Sequence, residues 1–117
     1  MKIPTLTLAL AVLGLAGCAN DPAPTEQLRV SEQALEQAKA VGATDQVGEF
    51  KLAEDKLERA RSNLLTQQFR DARMRAEQAE LDARLAEARV LTLKSEEQLN
   101  VLQTRVNRLR KQLAVQP

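Results

Sequence analysis

The residues that could do chemistry in this chain reduce to one soft nucleophile, Cys18, and a large set of carboxylates and cations. A thiolate can attack an electrophile or ligate a metal, but it needs a base or further ligands beside it. No histidine occurs anywhere in the 117 residues. Ser31, Ser62 and Ser95 fall in segments of helical composition, without the Gly-rich elbow that exposes a nucleophilic serine. Asp55 and Arg59, Asp71 and Arg75, Arg73 and Glu77, and Glu80 and Arg84 stand four apart, the spacing of solvated ion pairs on a helix. Cys/His ligand sets, acidic calcium loops and phosphate-cradling glycine motifs are missing. With no Trp, no Tyr and two Phe, there is little for a nucleic-acid base to stack on. The expectation is a protein that is not an enzyme, with no catalytic residue, no metal, no cofactor and no nucleic-acid partner.

The setting of Cys18 is more telling than its reactivity. An apolar stretch from Ile3 to Leu15 follows Lys2 and runs into Leu15-Ala16-Gly17-Cys18. This resembles the lipoprotein signal of bacteria. The resemblance implies cleavage between Gly17 and Cys18 and transfer of a diacylglycerol to the Cys18 thiol, so that residues 1–17 are a processing segment rather than part of the fold. As a membrane span the stretch falls short of the roughly 20 apolar residues a helix needs, and it contains Pro4, Thr5 and Thr7. Lipoproteins of this kind carry three acyl chains, and each buried methylene contributes about 0.8 kcal/mol, far beyond the marginal hold of a single myristoyl chain. Ala19, where an inner-membrane retention signal would place aspartate, implies the outer membrane, in the leaflet facing the periplasm. With its sole cysteine acylated, the mature chain has no disulfide, and its cohesion must come from packing.

Ala, Leu, Glu, Gln and Arg dominate from Thr25 onward, a helical vocabulary that predicts an all-α fold with no sheet. Without Lys2 the count is 16 basic against 16 acidic side chains, so bulk attraction to polyanions is not indicated. The balance is uneven, however. Residues 98–117 hold Arg105, Arg108, Arg110 and Lys111 and no acid. Such a basic tip complements the negative end of a helix dipole, and it could also touch anionic lipid head groups or cell-wall carboxylates.

Four segments follow from the pattern: a signal peptide over 1–17, a lipidated tether over 18–25, a helical domain over 26–93, and a coiled-coil-like extension with the basic tip over 94–117. Pro22 and Pro24 keep the tether out of helix. Thr25 is placed to cap a first helix from Glu26 to about Val41, with Leu28, Leu35, Ala38 and Val41 on one side and Gly42 closing it. A loop to Gly48 leads to a second helix from about Glu49 to Thr66, striped by Phe50, Ala53, Leu57, Ala60 and Leu64. The stripe resets at Phe69, which predicts a second turn at Thr66-Gln67-Gln68, although no Gly or Pro enforces it and a continuous helix remains an alternative.

From Phe69 some 45 residues run without Pro or Gly, and this third helix has two apolar faces. Phe69, Ala72, Ala76, Ala79, Ala83, Ala86, Val90 and Leu93 form a mostly alanine stripe against which other helices can pack closely. Leu81, Leu85, Ala88, Thr92, Ser95, Leu99, Leu102, Val106, Leu109 and Leu113 form a second heptad stripe, displaced by two residues and so about 200° round the helix. An antiparallel hairpin or three-helix arrangement can cover the first face but leaves Leu99, Leu102, Val106, Leu109 and Leu113 bare. That face implies another chain, either a second copy or a different envelope protein, and Val106 at an a-type position beside Leu109 at d leans toward a parallel dimer.

Gly42-Ala43, Glu49, Lys56-Leu57, Ala60, Phe69, Ala72-Arg73 and the run from Ala76 to Ala88 resemble the helical domain of unknown function 4398, a family of short bacterial envelope lipoproteins. The resemblance covers Leu28 to Ala88. Members show Gly-Asp-Tyr or a similar run at the second turn, from which Gln67-Gln68-Phe69 departs. The family has no assigned reaction, cofactor or ligand, and the resemblance therefore implies an address and a fold. Murein lipoprotein, also a small lipidated coiled coil, ends in the lysine coupled to peptidoglycan; this chain reads Ala114-Val115-Gln116-Pro117 with Lys111 internal, so covalent attachment to the wall is not expected. Two roles remain: a structural or interaction lipoprotein working through helical packing, or one that binds peptidoglycan or anionic lipid non-covalently through its basic tip.

Overall fold

The computed structural model describes residues 21–115 as three α-helices, α1 (Thr25–Ala40), α2 (Gly48–Leu65) and α3 (Phe69–Val115). No strand occurs among the described residues. Cys18 and Gly17, the signal segment and the start of the tether lie outside them.

The helices pack up, down, up. Arg61 of α2 meets Glu32 of α1 at 2.7 Å, while Lys56 of α2 meets Asp82 of α3 at 2.6 Å. Gln27 of α1 donates to Glu80 of α3 at 2.8 Å, and Lys94 of α3 donates to the Val41 carbonyl at 2.7 Å. These contacts set α2 antiparallel to both neighbours and α1 parallel to α3. The core between them is built mainly from alanine. Leu28, Ala34, Leu35 and Ala38 of α1 and Phe50, Ala53, Leu57 and Ala60 of α2 bury against Ala72, Ala76, Ala79, Ala83, Ala86 and Val90 of α3. Side chains this short add little apolar area singly, so the body depends on close approach over many positions. Ser31 is fully buried in the same seam, and its hydroxyl donates to the Gln27 and Leu28 carbonyls, which removes the cost of an unpaired polar group.

Both turns use one chemical device. Beyond α1 the Gly42 amide donates to Lys39 and the Ala43 amide to Ala38, with Gly42 at φ +100°. Beyond α2 the Gln67 amide donates to Leu64 and the Gln68 amide to Asn63, with Gln67 at φ +59°. These paired bonds are Schellman motifs, which satisfy the last carbonyls of a helix and need a left-handed residue. Glycine supplies it at the first turn. At the second, Gln67 takes a conformation that strains its Cβ, so the turn forms without the residue best suited to it. Replacing Gln67 by glycine should therefore raise stability by about 0.5–1 kcal/mol, read as a higher urea midpoint with an unchanged slope.

Two expectations change. Thr25 is not the cap: Pro24 holds that position with no side-chain bond, its carbonyl accepts the Leu28 amide at 3.0 Å, and Thr25 is the first helical residue. The end of the tether packs on the body, with Pro24 buried and Arg73 of α3 reaching Asp21 at 3.5 Å and the Pro22 carbonyl at 3.1 Å. A guanidinium with five donors can bind both acceptors at once. Leu93 continues the spacing of the buried stripe, but it is 57% exposed, since it stands where α1 ends and α2 begins and the body covers α3 no further.

Candidate interaction face

Lys94 marks where the body stops. Its ammonium caps the Val41 carbonyl at the C-terminal end of α1, where a cation is also favoured by the helix dipole. The remaining α3 residues to Val115 project alone for about 30 Å at 1.5 Å per residue. One level down, Arg89 of α3 pairs with Glu49 in the first turn of α2. The Arg89 hydrogen bonds, and after them one from the Glu49 backbone, hold the Glu49 carboxyl below the usual carboxylate range. These contacts fix the body to one side of α3.

The other side is bare along its length. Leu81 is 66% exposed and Leu85 54%, in the stretch where the alanines one or two positions away are buried completely. Leu99, Leu102, Val106, Leu109 and Leu113 are exposed as well. All lie on the second heptad stripe, so the structure places the expected interaction face as one continuous seam, and Met74 extends it toward the start of α3. Leu91 and Val101 are also exposed and flank the seam.

Arg105, Arg108, Arg110 and Lys111 are exposed but do not share a face. At about 100° per residue they point to roughly 0°, 300°, 140° and 240° round the axis, a collar rather than a patch. The furrow running from Leu93 past Glu97 and Val101 to Arg108 is bordered by α3 residues alone, and one helix cannot enclose a ligand. Among the described residues no helix is long and apolar enough to cross a membrane, and no three His, Cys, Asp or Glu side chains come together as metal ligands would. Of the four spaced ion pairs, Glu80 and Arg84 do meet, at 2.6 Å; Asp55 instead takes Lys51 at 3.0 Å, and Arg73 turns back to Asp21.

Sequence pattern missed Ala43, which is buried under the first turn although it belongs to a loop, and the capping role of Lys94. Burial of a loop residue depends on where the helix ends lie in space. Gly42 followed by alanine was the one local hint, since a Schellman motif commonly drops the next residue onto the helix end.

Comparison with known proteins bears on the same elements. The family model described as domain of unknown function (DUF4398) matches residues 26–102, extending the resemblance past Ala88 to include Leu99 and Leu102. A crystal structure of a DUF4398 family protein from Pseudomonas aeruginosa PAO1 is similar at 60% sequence identity with a TM-score of 0.78, over 80% of this chain and 97% of that one. The comparison with curated proteins finds no match. A three-helix body with an α3 that outruns its partners, matched by sequence over 26–102 and by fold to a solved member, makes this chain a member of the DUF4398 family.

Proposed function

We propose that this chain is a non-enzymatic lipoprotein of the bacterial envelope, held to the outer membrane by acylated Cys18 and facing the periplasm, and that it works as an interaction module through the second face of α3. The observation that supports this most strongly is the sustained exposure of that face. A heptad stripe carried from Leu81 to Leu113 contributes nothing to the isolated body, and a small soluble domain does not ordinarily leave so long an apolar seam in water. The signal segment ending at Cys18 supplies the address.

In-cell photo-cross-linking from exposed positions flanking Leu102 and Leu109 tests the role. The wild-type chain is expected to give discrete cross-linked species, and Leu102→Asp with Leu109→Asp to remove them while leaving thermal melting of the body unchanged, because both side chains stand clear of it. A strictly monomeric chain in detergent, together with an unaltered cross-linking pattern in the double variant, would overturn the reading.

A second reading, binding to peptidoglycan or anionic lipid, draws support from the acid-free tip. A helix lying on a bilayer gathers its cations on one face. The collar arrangement suits the carboxylates of a surrounding wall mesh better than a flat head-group layer.

A further inference from the structure

The bare seam has a definite register. With a-type positions at 85, 92, 99, 106 and 113 and d-type at 81, 88, 95, 102 and 109, the flanking g positions are Glu77, Arg84, Leu91, Gln98, Arg105 and Gln112, and the e positions are Asp82, Arg89, Glu96, Gln103 and Arg110. A parallel, in-register pair brings each g residue against the e residue five further along in the other copy. Those contacts are Glu77 with Asp82, Arg84 with Arg89 and Arg105 with Arg110, every charged pair like-signed and each occurring twice. Within one chain Asp82, Arg84 and Arg89 have partners in Lys56, Glu80 and Glu49, but residues 98–117 hold no acid to offset Arg105 and Arg110. Parallel pairing also stacks Ala88, Thr92 and Ser95 on their own copies, leaving the middle of the seam thin and partly polar.

We propose that a second copy of this chain covers the seam antiparallel, about a two-fold axis at Glu97. This rests on the reading of the second α3 face as a docking surface and names its occupant. Each seam residue then meets the one whose number makes up 194: Leu113 with Leu81, Leu109 with Leu85, Val106 with Ala88, Leu102 with Thr92 and Leu99 with Ser95. Every small residue of the near half faces a large one of the far half, so the layers fill evenly. Antiparallel helices flank their seam with e against e and g against g. Arg110 of one copy meets Asp82 of the other, twice, joining the pair that Asp82 makes with Lys56, Arg105 faces Leu91 instead of Arg110, and the one like-charge contact is Glu96 with its own copy at the axis. Sterically the pairing is open, because α1 and α2 sit on the opposite side of α3, and each projecting tip is laid along the bare outer face of the other body.

Single-cysteine oxidation of the full chain in cell envelopes separates the arrangements, with the unsubstituted chain as the control for Cys18. Across an antiparallel axis at Glu97, Gln98 stands next to Gln98 of the other copy, whereas Leu102 faces Thr92. Gln98→Cys is therefore expected to form a disulfide-linked dimer at least about tenfold more completely than Leu102→Cys, through its higher effective concentration. Both positions are exposed and outside the body, so neither substitution threatens folding. The reverse ratio would mean parallel pairing and would overturn the inference. No disulfide from either would also overturn it; if Leu102 then photo-cross-links to another protein, the docking reading survives, and if it captures nothing, both fall.

Discussion

Phe50→Ala should lower the stability of the helical body by about 3–5 kcal/mol, a large share of the ~5–15 kcal/mol that holds an ordinary domain folded. Phe50 is 2% exposed and is the bulkiest buried apolar side chain among the described residues, in a core otherwise made of alanines with a few leucines and Val90. It packs with Ala34, Leu35, Ala38, Ala43, Ala53, Ala83, Ala86 and Val90. Alanines have no rotamers with which to move into a void, so the cavity stays open and the loss falls toward the upper end of the range. Loss of helical circular dichroism at a much reduced urea midpoint is the expected readout. Leu65→Ala, at an 84% exposed position, is the matched control and should shift stability by less than about 0.5 kcal/mol.

Cys18→Ser should abolish incorporation of palmitate, and residues 19–117 exported behind an ordinary cleavable leader should move from the membrane pellet to the soluble fraction. If Cys18 carries a diacylglycerol as proposed, two chains of roughly 14 buried methylenes each contribute on the order of 20 kcal/mol to membrane retention. Among the described residues no helix could serve as a substitute span. Unchanged pelleting of the exported 19–117 chain after a high-salt wash would show that the protein itself, rather than the lipid, binds the envelope.

Much of this fold could be read from residue spacing, because helices with long, strictly periodic stripes declare their inward faces. The stripes place Phe50, Ala53, Leu57 and Ala60 inside, and they are buried, as are Ala72, Ala76, Ala79, Ala83, Ala86 and Val90. Helix ends were legible to within about one residue, as at Gly48 and Leu65. What escaped were contacts that depend on where one helix stops against another. Leu93 continues the heptad of the alanine stripe, yet it stands at the level where α1 ends and is bare. Arg73 has Glu77 one turn away, yet Asp21 and the Pro22 carbonyl come closer once α1 is laid parallel to α3. The turn at Gln67 stayed ambiguous because its signal is a backbone conformation, φ +59°, that its side chain does not favour. The bare second face was legible for the opposite reason: a stripe that no helix of the same chain covers is visible as surplus periodicity.

Because Asp21 is held beside Arg73 near the start of α3, the visible end of the tether leaves the body at the pole opposite Val115. If Cys18 is lipidated as proposed, a single upright copy would hold Val115 more than about 60 Å above that lipid, measured along the 42 residues from Arg73 to Val115 at 1.5 Å each. Two copies joined head to foot about Glu97 would instead keep their lipids about 70 Å apart at either end of a stiff strut, which would then have to lie flat or bridge two surfaces. Polarity within the pair would thus decide whether the molecule is a mast or a spacer.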